Sequence, residues 1–282
     1  MKNDGKKARG RVRLKTGRAS HVRVRWFVIP FLVAVLGLAG TQLLLGAQNC
    51  PSIEEFRAYT PPEATRVFAS DGALLADLSP DRRVVVALDD VPAEVRDGFV
   101  AVEDRRFLEH AGVDLRGVVR AAWRDLKSLS LDEGFSTITM QLARNVFTEE
   151  LPRGEKVRRK LCEVKLSREI EDAYSKDEIL GRYLNQVYMG DGLYGVEEAA
   201  RGYFGKAVSD VTLPQTALLI GLVKNPEGYN PRKNEVRAIQ RRNVVLAVMA
   251  REGVISAQQA ETAQAAALDL APPREASASA PY

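Results

Sequence analysis

Residues 134–145 read Gly134-Phe135-Ser136-Thr137-Ile138-Thr139-Met140-Gln141-Leu142-Ala143-Arg144-Asn145. Ser and Thr at a helix start bring hydroxyls and unpaired backbone N–H groups together, a setting that suits anionic oxygens. Arg144 falls eight residues after Ser136, roughly two helical turns along, so the pair can share one site only if the ligand is long.

Two further clusters lie on either side. Upstream, Glu103-Asp104-Arg105-Arg106-Phe107 is followed by His110, Gly112 and Asp114. Phe99, Val100 and Val102 ahead of it would bury one helix face and leave a carboxylate in a semi-apolar cleft, an environment that favours a general base or acid. Downstream, Arg158-Arg159-Lys160-Leu161-Cys162-Glu163 continues a helical pattern with Val157, Leu161 and Val164 on one face. Glu163 then sits beside Arg159 at i−4 and Lys160 at i−3. Several cations around one acid would suit a diphosphate that changes charge during a reaction, with or without a bridging divalent cation. Taken singly, each cluster also has an ordinary explanation: an N-cap, a solvated charge run, a surface ion pair.

Composition narrows the classes. The chain has 282 residues, two histidines (His21, His110) and two cysteines (Cys50, Cys162), which excludes a His/Cys zinc cluster or a disulfide framework. Cys50 reads as an incidental thiol beside the membrane and Cys162 as a packed, inert one. Residues 1–25 hold ten Lys/Arg against Asp4, a net of +9 where the whole chain has +4, so the remainder is acidic and nucleic-acid binding loses its support. Trp26 to Ala47 is an uncharged run of 22 residues, about 30 Å as a helix and enough to span a hydrocarbon core. It is longer than the apolar core of a cleaved signal peptide, of about 7–15 residues. The flanking charges place the N-terminus in the cytoplasm and everything past residue 48 outside.

The order of elements follows. Residues 48–92 read as a stalk and a small β lead-in: a hairpin signal at Asp71-Gly72 between Arg66-Val67-Phe68 and Leu74-Leu75, then a third strand over 83–88. From 93 to 270 the pattern is helical. Asp114 is a candidate N-cap for Leu115, Val118, Val119, Ala122 and Leu126. Ile179, Leu180, Tyr183, Leu184, Val187 and Tyr188 form a stripe, Leu213 to Val223 a buried helix closed by Asn225-Pro226, and Ser256 with Gln259 a capping box. Residues 271–282 have linker composition. The fold class is therefore mainly α behind one transmembrane helix.

Read together, E-D-x-x-F-x-x-H-x-G, G-x-S-T-I-T-x-Q and R-K-x-x-E resemble the peptidoglycan glycosyltransferases of family 51, found alone or at the front of class A penicillin-binding proteins. Tyr183-Leu184-Asn185, Tyr203-Phe204-Gly205-Lys206 and Asn225-Pro226 with Tyr229-Asn230-Pro231 agree, and the resemblance covers roughly residues 64–252. It implies a lysozyme-like glycosyltransferase domain on the periplasmic side of the inner membrane. The implied substrates are lipid II, a polyprenyl-diphosphate-linked sugar, and the nascent glycan strand. It further implies Glu103 as general base and Glu163 as the second glutamate, which steadies the diphosphate. Substrate contact is carried over to Asp104, Phe107, His110, Ser136, Thr137, Gln141, Arg144, Arg159, Lys160 and Asn185. No metal is certain; magnesium or manganese at Glu103 or Glu163 is compatible. Val118 to Leu131, with Trp123, corresponds to a mobile membrane-facing segment. Met140, Arg144 and Gly181 depart from the family's common Gln, Lys and Glu.

Other functions remain open at this level. A lytic enzyme of the same fold would cleave glycan without diphosphate-binding cations, and a non-catalytic scaffold of wall synthesis would tolerate loss of both glutamates. No Ser is followed three residues later by Lys, so this chain is expected to join sugars and not to cross-link peptides, and a transpeptidase is a candidate partner. Pro272 to Tyr282 resembles the stretch that leads into the second domain of bifunctional relatives.

Overall fold

The computed structural model describes residues 50–61, 66–71, 74–77, 82–120, 136–151 and 155–273. The apolar run Trp26–Ala47, the stretch 121–135 with Trp123, and residues 274–282 lie outside the described residues. Among the described residues no helix is long and apolar enough to cross a membrane.

The chain enters through α1 (Ile53–Ala58), whose capping box pairs Ser52 Oγ with the Glu55 N–H and Glu55 Oε2 with the Ser52 N–H. Two short strands, β1 (Arg66–Phe68) and β2 (Leu74–Asp77), pair antiparallel as the hairpin signal at Asp71 implies. The third strand is shorter than its sequence suggests. Only β3 (Arg82–Arg83) is strand, because its partner is the two-residue β4 (Leu193–Tyr194), parallel and more than a hundred residues away. Residues 84–87 run on without a ladder, and Leu88–Asp90 form a 3-10 turn.

The rest is helical: α2 (Ala93–Glu103), a 3-10 turn Phe107–Glu109, helical residues 115–120, α3 (Ile138–Val146), α4 (Lys156–Ala173), α5 (Lys176–Gln186), α6 (Val196–Phe204), α7 (Leu213–Leu222), α8 (Glu235–Arg251) and α9 (Ala257–Ala265). Asp114 Oδ1 accepts from the Gly117 N–H and caps helix 115–120 as its position suggests. The capping box at Ser256/Gln259 forms, and the apolar stretch from Leu213 is a helix buried from Gln215 to Leu222. The Ile179 stripe packs as expected on α5, but the helix stops at Gln186, so Tyr188 lies beyond it.

Packing falls into two groups of helices. In one, α7 lies against α8, and α2 and α9 close on both; in the other, α3 packs between α4 and α5. Phe99 of α2 meets Tyr183 of α5 edge-on across the seam, ring centres 6.2 Å apart. Both are fully buried with Ile138, Leu142, Leu166, Ile170, Val245 and Met249, each apolar side chain contributing about 1.5–3 kcal/mol. Gly112 sits at φ +82, where a Cβ would fall 2.6 Å from the Ser167 carbonyl oxygen of α4. Only glycine lets the segment after Glu103 approach α4 this closely.

The structure overturns the reading of the two cysteines. Cys50 and Cys162 form a disulfide, Cα atoms 5.3 Å apart and 112 residues apart in sequence. Nothing in the local sequence around either cysteine signals this pairing, because it forms only when the folded chain brings the entry segment onto α4, where Cys162 is fully buried.

Candidate active site

Glu103 is the last residue of α2, so its side chain leaves the helix where the apolar face carrying Phe99 ends. Gln141 of α3 donates from Nε2 to Glu103 Oε2 at 3.0 Å. The buried Tyr183 hydroxyl donates in turn to Gln141 Oε1 at 3.2 Å. Burial pushes the Glu103 carboxyl up from the usual carboxylate range. The Gln141 hydrogen bond and the charges of Arg241, Lys224 and Arg144 oppose that rise without cancelling it. A half-buried carboxylate held at one oxygen by a neutral amide can take up a proton.

A second carboxylate has different neighbours. Glu163, on α4, is 1% exposed and lies 3.0 Å from Lys160 Nζ, 3.7 Å from Arg144 Nη1 and 3.8 Å from Arg159 Nε. Lys160 Nζ also donates to Ser136 Oγ at 2.6 Å, and burial lowers the Lys160 pKa against the pull of Glu163. Three cations around one acid leave excess positive charge, a setting for an anionic ligand. Ser136 and Arg144 therefore meet one cluster despite their spacing in the sequence, because Lys160 of α4 reaches Ser136 and its neighbour Glu163 reaches Arg144.

The remaining expected contacts have internal partners. Asp104 Oδ2 accepts from the Ile138 N–H at the start of α3, and His110 Nε2 lies 3.0 Å from both Asp104 carboxylate oxygens. Thr137 is the N-cap of α3; its hydroxyl accepts from the Met140 N–H and donates to the Gly112 carbonyl at 2.6 Å. Phe107 is buried under Lys176, whose Nζ sits 4.3 Å from the ring centre. Asn185 donates to the Val86 and Gly181 carbonyls and accepts from the Val86 N–H, each at 2.9 Å. Asp104 and Thr137 thereby fix the start of α3, and Asn185 fixes the Val86 segment against α5. Met140, at 0% exposure, is a core residue.

The match to known proteins decides the family. Residues 71–250 match the family model described as Transglycosylase. The chain belongs to the transglycosylase family. It is 44% identical over 270 residues to penicillin-binding protein 1A of Escherichia coli strain K12, covering 91% of this chain and 31% of that protein. It is 42% identical over 216 residues to penicillin-binding protein 1A of Aquifex aeolicus, covering 77% and 29%. Penicillin-binding protein 1F of Bacillus subtilis is 40% identical over 207 residues, covering 73% and 29%. The chain spans under a third of the length of these relatives. A crystal structure of penicillin-binding protein 1A from Haemophilus influenzae matches over 76% of this chain and 22% of that one, at 25% identity and a TM-score of 0.45.

The surroundings of Glu163 do not suit a resident metal. Among the described residues no group of three or more His, Cys, Asp or Glu could hold an ion. At Glu163 an incoming divalent cation would face three positive side chains. Sequence reasoning missed Tyr183 as a site residue, because its apolar stripe marks it as core. It also missed Lys224, just past α7, and Arg241 of α8, whose charges act on Glu103 only in the folded chain. Lys224 stands directly before the Asn225-Pro226 pair, and that adjacency was the one available signal.

Proposed function

We propose that this transglycosylase polymerises lipid II into glycan strands. The acceptor sugar's 4-hydroxyl oxygen bonds to the donor's anomeric carbon, and its proton passes to the Glu103 carboxylate. The bond from that carbon to the diphosphate breaks, and the departing polyprenyl diphosphate keeps the electron pair. Arg144, Arg159 and Lys160 face the charge it carries away, and Glu163 fixes where those cations point. The observation that supports this most is the pairing of a carboxyl raised by burial, Glu103, with a separate cluster of three cations about Glu163. A glycan-cleaving enzyme has no need of the second part.

The finer placement belongs to the same reading. The domain is lysozyme-like and periplasmic, and Trp26 to Ala47 holds it to the inner membrane with the N-terminus inside. Leu115 and Val119, four apart on helix 115–120, are 71% and 70% exposed, and exposed apolar side chains on one helix face suit a domain that draws a lipid-linked substrate from a bilayer. The test is incubation of the purified full chain with lipid II. Glycan polymer is the expected product with wild type and none with Glu103→Gln; shorter fragments from preformed glycan, or equal turnover by the variant, would overturn the assignment.

A further inference from the structure

The start of α4 is poorly stabilised by its own sequence. Its N-cap, Glu155, makes no side-chain cap hydrogen bond, unlike the serines that begin α5 and α9. Its first turn holds no acid. Lys156, Arg158, Arg159 and Lys160 instead crowd the end where the helix dipole is positive and cations are disfavoured. No residue from 156 to 161 is buried, and Val157 is 75% exposed. The first side chain of α4 to enter the core is Cys162, and it is covalently joined to Cys50.

The other end of that link is well anchored. Cys50 stands two residues before the Ser52 cap of α1. Phe56 of α1 is 1% exposed and packs against Phe147 and Tyr174, ring centres 6.4 and 5.6 Å away. The disulfide therefore ties the uncapped, cation-loaded turns of α4 to a fixed neighbour, immediately beside Glu163. Only Gln48 and Asn49 separate Cys50 from the end of the apolar run at Ala47.

We infer that Cys50 and Cys162 are positioning residues: their disulfide holds the first turns of α4 helical so that Arg159 and Lys160 present a preformed cradle to the donor's diphosphate. The inference rests on the glycosyl-transfer reading for its ligand, not for its mechanics. A helix start that must be ordered at each binding event lowers affinity for the anion, because ordering it opposes binding. Proton transfer at Glu103, on α2, stays as it was.

The experiment uses the full-length protein in detergent micelles, as Cys50→Ser and as wild type treated with dithiothreitol, which is oxidised to its cyclic disulfide as the two thiols form. Both should raise KM for lipid II about tenfold, the scale of one charge-assisted contact, and lower kcat as well, because the same cations face the departing diphosphate, while the acid limb of the pH profile set by Glu103 does not move. In both, the amides of residues 156–161 should exchange hydrogen at least about tenfold faster than in oxidised wild type, those of α8 showing no change. Dithiothreitol should add nothing to Cys50→Ser. An unchanged KM with only a lower melting temperature would make the link merely structural and overturn the inference, as would free thiols in the unreduced protein. If oxidised wild type makes no glycan, the functional reading fails, and the exchange data still decide the positioning role: unaltered exchange at 156–161 overturns it. Should Cys50→Ser fail to fold, the reduced wild type carries both measurements.

Discussion

Glu103 and Glu163 are the same residue type, both under the influence of Arg144, and their surroundings are opposites. Glu103 closes an apolar helix face and has one neutral amide as its hydrogen-bond partner; burial lifts its pKa in spite of three cations acting at longer range. Glu163 is almost fully enclosed and has three cations within 4 Å. Environment divides the labour between two carboxylates, one suited to exchanging a proton and the other to fixing the direction of positive charge.

The sharpest way to break that contrast is to exchange each carboxylate for its amide. Glu103→Gln keeps shape and the Gln141 contact, yet removes the base. Polymerisation should fall about 10²–10⁴-fold. Its stability should move the other way. A carboxyl whose folded pKa is raised opposes folding wherever it is ionised, above its ordinary pKa, and that penalty fades as pH falls. At neutral pH Glu103→Gln should therefore melt higher than wild type; a lower melting temperature would mean that the Glu103 charge is stabilising.

Glu163→Gln should behave differently. It leaves Lys160, Arg159 and Arg144 without their shared acid and should cost about 1–3 kcal/mol of stability. It should also cut activity about 10–100-fold, a loss that added magnesium or manganese does not repair. Recovery of activity with metal would reopen the question of an ion at this position. Wild-type activity would reduce Glu163 to a salt-bridge partner of Arg159.

How much of this was legible in the sequence depends on how far each fact reaches along the chain. Helices, caps and the three charged clusters are local, and Ser256/Gln259, Asp114 and Thr137 cap as their positions suggest. The roles proposed for Glu103 and Glu163 come from the family resemblance, and what the fold adds is their surroundings: a carboxyl raised by burial and one ringed by cations. Facts that join distant segments were not legible. The Cys50–Cys162 bond spans 112 residues, β3 pairs with β4 across a similar distance, and Lys224 and Arg241 approach Glu103 only through the packing of α7 and α8 against α2. Motif membership also says nothing about which way a side chain points. Asp104 and Asn185 belong to the motifs, and the fold uses them to hold α3 and the Val86 segment in place.

Asn185→Ala tests that last distinction. Three hydrogen bonds to backbone groups are lost, so stability should drop by about 1–3 kcal/mol while kcat of the folded enzyme stays within about twofold. A large kcat effect without destabilisation would make Asn185 a substrate contact after all. The smallest expected effect is that of Tyr183→Phe, which removes only the hydroxyl that orients Gln141. It should lower kcat about two- to fivefold, the worth of one neutral hydrogen bond, leaving KM unaltered.

The division of labour between the two glutamates is tested most directly by the pH dependence of lipid II polymerisation in wild type, Glu103→Gln and Glu163→Gln. Because burial raises the Glu103 pKa and the base must be ionised, wild-type kcat should fall as pH drops through a value above the ordinary carboxylate range of about 4.3. Glu163→Gln should keep that acid limb at lower overall activity, and the residual activity of Glu103→Gln should lack it. An acid limb that survives in Glu103→Gln and disappears in Glu163→Gln would contradict the account, because the proton would then be taken at the other carboxylate.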